Sequence, residues 1–182
     1  QVEYAESAKR DAAVDRVREA LESNEKVVVV GNRKLWVRSF LPLVERVLST
    51  ATRRALWSRV TDGDDSASAR GELAEEFVRG GVSGPALLVA TLDSIKTSID
   101  LQDADRMIVV GLPRTPEELI QLEGRVHRLG LSRPVAIDYL VAEGTVDEVI
   151  HAALLTRLES VDVAGVATEP TSDMRQEIDE GE

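Results

Sequence analysis

Three short stretches of the chain are apolar at every position: Val27 to Val30, Ala86 to Ala90 and Met107 to Val110. A strand with one face in water alternates apolar and polar residues. A strand that is apolar throughout must be covered on both faces, as in the interior of a parallel sheet. Between these runs the spacing turns helical. Residues 34–49 place Val37, Phe40, Leu41, Val44, Val47 and Leu48 on one stripe, with Pro42 inside it, and residues 67–79 turn Leu73, Phe77 and Val78 inward. Residues 5–23, rich in Ala, Glu and Arg without a breaker, read as an amphipathic leading helix. A weaker strand is expected over 54–61, a turn at Asp62-Gly63-Asp64-Asp65, and irregular chain over 91–101. Thr115 as N-cap, Pro116 at the first helical position and Glu117 and Glu118 in the first turn open a helix that runs to about Leu129. Val135 to Val141 reads as a strand. Thr145 to Glu148 reads as a capping box opening a last helix, with Val149, Ile150, Ala153, Leu154 and Leu158 on its apolar face. Strands alternating with helices, several of them apolar throughout, predict an α/β domain with a mainly parallel sheet and helices on both faces.

The length of 182 residues suits one domain, and the chain contains no cysteine. That excludes a disulfide scaffold, a thiolate metal site and a cysteine nucleophile, and with only His127 and His151 no metal site is expected. No apolar run approaches a membrane span and no signal peptide is visible, so no membrane partner is expected. The opening Gln1-Val2-Glu3 lacks an initiator Met, as a piece of a longer protein would. The net charge of −11 argues against a stand-alone nucleic-acid binder, but it is uneven. Residues 162–182 hold seven acids against one base, Arg175, together with Pro170 and Gly181, and are expected to be a linker or disordered. Only four of the 22 basic residues are lysines, which suits phosphate recognition or reflects a GC-rich genome. Six aromatic residues leave little for a base-stacking platform, and Trp36 and Trp57 read as packing residues.

No G-x-x-x-x-G-K-[ST] phosphate loop and no G-x-G-x-x-G occurs, and Gly80-Gly81 reads as a helix C-cap, so any nucleotide site must be partial. The informative segment is Gln121-Leu122-Glu123-Gly124-Arg125-Val126-His127-Arg128. Arg125 and Arg128, three apart near a helix end, project on one side. Two guanidiniums so placed can take the oxygens of a polyanion between them, or be a solvated pair favoured by the helix dipole. Asp62, Asp64 and Asp65 read as a solvated turn in preference to a metal cluster.

From about Lys26 to Leu158 the chain resembles the second RecA-like lobe of superfamily-two helicases and translocases, most of all the Swi/Snf-type ATPases. Gln121-x-x-Gly124-Arg125-x-x-Arg128 matches their motif six, and His127 suits the Swi/Snf type. Lys26 to Lys34 resembles motif four, Thr61-Asp62-Gly63 through Arg70 to Phe77 the next block, and Leu88 to Asp105 motif five. Leu112-Pro113-x-x-Pro116 and Tyr139 through Glu148 complete the order. The chain departs from the pattern at Ser98, where motif five usually has glycine, at Asp100, where the Swi/Snf type often has Asn, at Arg114, where Trp is usual, and at Leu129-Gly130-Leu131.

The resemblance implies a single RecA-like lobe over residues 26–160, after a leading helix in 1–25 and before an acidic tail in 161–182. It implies ATP with Mg2+, bound mainly by a first lobe that this chain lacks, so that the chain alone would not hydrolyse ATP. Arg128 would be the arginine finger and Arg125 its partner on the γ-phosphate, with Gln121, Gly124 and Asp100 on the ATP side. Lys34, Gly63, Asp64, Thr91 and Ser94 match places where the family touches the nucleic-acid backbone, expected here to be double-stranded DNA. The implied partners are the first lobe and nucleic acid, and the implied setting is a bacterial or phage-encoded protein, cytoplasmic and associated with the nucleoid. The alternative is a non-catalytic helicase-like lobe acting as a protein-interaction or regulatory module.

Overall fold

All four valines from Val27 to Val30 have no exposed surface, because the strand that carries them, β1 (Lys26–Gly31), lies at the centre of the sheet. The computed structural model describes residues 2–80, 84–96, 101–126 and 134–166. Five strands pair in the order β2-β3-β1-β4-β5, where β2 is Trp57–Thr61, β3 Ala86–Thr91, β4 Arg106–Val109 and β5 Ala136–Tyr139. Every pairing is parallel: Val27 to Val30 stand beside Leu87 to Ala90 on one side and Arg106 to Val109 on the other.

Alternate side chains of each inner strand enter opposite cores, which is the period-two rule of a pleated strand. Val27, Val29, Leu87, Val89 and Ile108 meet α1 (Val2–Glu22) and α2 (Lys34–Val47). Val28, Val30, Leu88, Ala90, Met107 and Val109 meet α4 (Ala67–Gly80), α5 (Leu92–Lys96) and α6 (Pro116–Val126). The fold is therefore an α/β lobe with an all-parallel sheet covered on both faces, as the apolar runs require. Asp105 explains the Ala-Asp pair before β4. Its carboxylate accepts the Lys26 amide at 2.8 Å and its own amide donates to the Lys26 carbonyl at 2.8 Å, which clamps β4 to β1.

Some local expectations are corrected. The strand expected over 54–61 begins only at Trp57; before it runs a short helix, α3 (Thr50–Ala55), capped by Ser49, whose hydroxyl accepts from the Thr52 amide. The irregular stretch from 91 contains α5, too short for a periodic signal. Val47 and Val78, read as inward, are 45% and 38% exposed; Ala74 and Phe77 carry the buried face of α4. Trp36 and Trp57 are packing residues, stacked on Phe40 and set edge-on to Phe77. In the last helix, α7 (Val146–Val166), Leu154 is buried while Val149 is 68% exposed and Ala153 faces solvent. Its capping differs from a regular box. The Thr145 hydroxyl accepts from the Asp147 amide, and Asp147, not Glu148, reaches back to the Ala142 amide. The helix continues past residue 160 to Val166. Thr115 caps α6 as expected, accepting the Glu118 amide at 3.3 Å.

Candidate functional site

The buried polar residues among those described are Thr61, Asp62, Thr91 and Ser94, and all four stand at the carboxyl ends of the adjacent strands β2 and β3. Burying a polar group without a partner is costly, so such a cluster persists only when its members satisfy one another. The Thr91 and Ser94 hydroxyls lie 2.8 Å apart, and Ser94 also donates to the Thr91 carbonyl at 2.8 Å and to the Thr61 carbonyl at 3.4 Å. Asp65 accepts the Thr61 hydroxyl at 2.8 Å and the Asp62 amide at 3.0 Å; Asp62 accepts the Asp64 amide at 2.9 Å. Arg70 holds the same turn by donating to the Asp65 carbonyl at 2.6 Å. The Asp62–Asp65 acids are thus turn-formers and ion-pair partners.

Five sequence-predicted residues gather at this edge. Lys34 opens α2 and pairs with Asp64, Gly63 lies beneath the Lys34 side chain, and Thr91 and Ser94 line the neighbouring strand end. Lys34 and Asp64 are about half exposed, whereas Thr91 and Ser94 are buried and hold the loop together. Sequence reasoning missed Arg38, one turn along α2 from Lys34. Its Nε donates to Asp62 at 2.6 Å and its Nη2 to Asp64 at 2.9 Å. The i,i+4 spacing of two cations opposite an Asp-Gly turn was the available signal.

The Arg38 guanidinium holds the Asp62 carboxyl below the usual carboxylate range, helped by the Asp64 amide. A group with a depressed folded value contributes stability that is complete above its unfolded value, about pH 4, and is lost as pH falls through the folded value below that. The urea midpoint of the chain should therefore drop below about pH 4, and drop less steeply in Arg38→Ala. Parallel acid limbs in the two proteins would show that the pair contributes nothing.

A second group lies on α6. Gln121 and Gly124 are exposed, and among the described residues a Cβ added at Gly124 would meet nothing within 4 Å. Arg125 is half-buried; its guanidinium donates to the Lys96 carbonyl at 2.5 Å and its own carbonyl accepts the Leu101 amide at 3.0 Å. Lys96 in turn pairs with Glu118 at 2.6 Å, and Lys96 together with the Arg114 amide holds the Glu118 carboxyl below its usual range. Tyr139 pins α6 to β5 by donating to Glu123 at 2.6 Å, and burial with that acceptor pushes its hydroxyl well above the ordinary tyrosine value. Arg128, Asp100, Ser98 and His127 lie outside the described residues. The two groups are bridged by α5: Ser94 ties it to the end of β2, Lys96 to α6.

Separate from both, the ends of β1 and β4 flank a cavity of about 490 Å³, lined among others by Lys9, Arg33, Trp36, Arg114, Asp147 and Ile150. Among the described residues no three His, Cys, Asp or Glu side chains are gathered to hold a metal, and no helix is long and apolar enough to cross a membrane.

The parallel sheet covered on both faces defines an α/β lobe. The model of the helicase conserved C-terminal domain matches residues 9–130, and the chain belongs to that family. Within it the chain is similar to Swi/Snf-type proteins. It is 27% identical over 173 residues to the SWI/SNF-related matrix-associated actin-dependent regulator of chromatin subfamily A-like protein 1 of Xenopus tropicalis, covering 94% of this chain and 17% of that protein. An uncharacterized ATP-dependent helicase of Mycoplasma pneumoniae is 24% identical over 142 residues, covering 78% of this chain and 13% of that protein. The chain thus spans less than a fifth of the length of these relatives. The fold is shared with the C-terminal part of the Fun30 ATPase domain, at a TM-score of 0.65 and 21% identity over 80% of this chain and 44% of that one. It is also shared with the C-terminal domain of the DEAD-box protein Dbp5, at a TM-score of 0.63 and 16% identity over 85% of this chain and 80% of that one.

Proposed function

We propose that the chain is the C-terminal motor lobe of an ATP-dependent DNA translocase or helicase, inactive without a first RecA-like lobe. In this reading α6 faces the nucleotide. Arg128 supplies the finger, Arg125 fixes the end of α6 and its approach to the γ-phosphate, and Gln121, Gly124 and Asp100 border the nucleotide. The groups this chain brings are guanidinium, amide and backbone donors, which fit phosphate oxygens; Mg2+ would be held mainly by the first lobe. Lys34, Gly63, Asp64, Thr91 and Ser94 form the edge toward the backbone of double-stranded DNA, with Thr91 and Ser94 shaping the loop. Contacts of this kind position a duplex without reading its bases. The setting is cytoplasmic and nucleoid-associated in a bacterial or phage-encoded protein.

Gly124 carries the reading. An exposed glycine inside a helix costs about 0.5–1 kcal/mol relative to alanine. Among the described residues no side chain or backbone atom fills the space beside it. Its absent side chain makes room for a body outside the lobe. Gly124→Ala should therefore raise the stability of the isolated chain by about 0.5–1 kcal/mol, read as a higher urea midpoint, while lowering ATP turnover of the two-lobed protein at least tenfold. Unchanged turnover would remove Gly124 from the nucleotide side.

A second reading, a module that docks a protein partner, is favoured by one observation. Val146 and Val149 on the first turn of α7 are 66% and 68% exposed, beside the cavity that Val146 and Ile150 line. ATP turnover by a two-lobed protein containing this chain decides for the motor.

A further inference from the structure

Lys34 and Arg38 project from the first turns of α2 toward the Asp62–Asp65 turn at the end of β2. The two carboxylates that meet them differ in kind. Asp62 is buried, with a side chain 5% exposed, and holds Nε of Arg38 while also bonding the Asp64 amide. Asp64 is 60% exposed and touches both cations, Lys34 through Oδ1 and Arg38 through Oδ2. Among the described residues Nη1 of Arg38 has no hydrogen-bond partner, so one edge of the guanidinium points away from the turn. Lys34 lies over Gly63, its Cε and Nζ 3.7 and 3.9 Å from where a Cβ would stand. No side chain there separates the amine from whatever approaches the edge.

We propose that Lys34 and Arg38 form a two-cation seat for a nucleic-acid phosphodiester, in which Asp64 now holds the place of the phosphate and Asp62 keeps Arg38 aimed. Arg38 is then a further backbone-contact residue, and Asp64 is a competitor displaced on binding. The inference rests on the reading that this edge meets nucleic acid, and it changes the part Asp64 plays there. A carboxylate and a phosphate offer similar oxygen pairs to an arginine fork and a lysine point charge. Exposed ion pairs are weak, so Asp64 yields readily, whereas a duplex brings a dense row of charge and releases counterions when it binds. Lys34 holds the Asp64 carboxyl below its usual range, so the competitor is ionised wherever binding is measured. Asp62 is not exchangeable in this way, because it is buried and bonded to its own turn.

The test is a titration of the full chain with duplex DNA and with duplex RNA of matching sequence, by fluorescence anisotropy at several salt concentrations. Asp64→Asn should bind roughly three- to tenfold more tightly, with a steeper salt dependence. Arg38→Ala should weaken binding to any sequence and reduce the salt slope by about one. In the Lys34→Ala/Arg38→Ala background, Asp64→Asn should bring no gain, because the seat it frees is gone. A gain of the same size in that background would mean that only the general field changed, and would overturn the seat. If the chain binds and depends on Lys34, but Arg38→Ala and Asp64→Asn leave affinity unchanged, the seat falls and the edge stands. If neither the chain nor any variant binds either duplex, both fall. A preference for RNA over DNA keeps the seat and overturns the DNA assignment. Thermal midpoints of all variants are measured alongside, and binding is compared well below each midpoint, because Arg38→Ala also unpairs the buried Asp62.

Discussion

Replacing Arg128 with alanine in the two-lobed protein is expected to cut nucleic-acid-stimulated ATP turnover by about 10³–10⁵-fold, the contribution of an arginine finger in related nucleotide hydrolases. The physical reason is charge. Phosphoryl transfer leaves little covalent work for the protein, and a guanidinium placed in a water-excluded cleft stabilises the oxygens where charge develops. Arg125 should behave differently from a free finger. Arg125 is tethered: its guanidinium donates to the Lys96 carbonyl at 2.5 Å, and its backbone carries the Leu101 amide. Arg125→Ala removes a charge-assisted bond between α6 and α5, so it should lower stability by about 1–2 kcal/mol as well as turnover. If Arg128 is the finger proposed above, Arg128→Ala should lower turnover with no change in thermal midpoint, because a finger acts on a phosphate outside the lobe. The measurement is steady-state ATP turnover with and without duplex DNA, beside a melting curve for each variant. Near-normal stimulated turnover in Arg128→Ala would end its assignment as the finger. The isolated chain should show no turnover in any variant.

The part Arg125 plays was only half legible in the sequence. Spacing alone placed Arg125 and Arg128 on one side of a helix, and the family resemblance gave both a place at the phosphate. That Arg125 is anchored to α5 depends on where α5 lies, and a five-residue helix leaves no periodic trace. The same limit hid Arg38, whose partners are 24 and 26 residues away in sequence. The sheet itself was plain, because strands apolar at every position admit few alternatives to an interior parallel arrangement. Helix faces were less so. Val149 sits at helical spacing with Ala153 and beside Ile150, but the first turn of α7 lies beside the cavity, so among the described residues Val146 and Val149 are covered by no core. Spacing says which residues share a face; it does not say whether another element covers that face.

Val78 and its neighbour Phe77 turn that distinction into a measurement. Both were read as inward, yet Phe77 has no exposed surface and Val78 is 38% exposed. Phe77→Ala removes a ring that packs edge-on against Trp57, with centroids 5.6 Å apart, inside the core that also holds Leu88, Ile95 and Leu122. The lost transfer energy plus the cavity left behind should cost about 3–5 kcal/mol. Domains of this size are stable by only about 5–15 kcal/mol, so the variant should lose a large share of its stability while still folding. Val78→Ala should stay within about 0.5 kcal/mol, because an exposed valine in a helix loses little packing and alanine suits the helix better. Urea denaturation separates them: a large drop in midpoint at unchanged slope for Phe77→Ala, and almost none for Val78→Ala. The larger effect should also reach the functional edges while the protein is still folded. Ile95 lies in α5 and Leu122 in α6, and both pack in the same cluster as Phe77. Loosening that cluster loosens α5, which touches both the end of β2 and Arg125. Nucleic-acid affinity of Phe77→Ala, measured well below its unfolding midpoint, should therefore fall, whereas Val78→Ala should bind as the parent chain does. Equal binding by the two variants would show that the edge is held by its own hydrogen bonds, without help from the core beneath it.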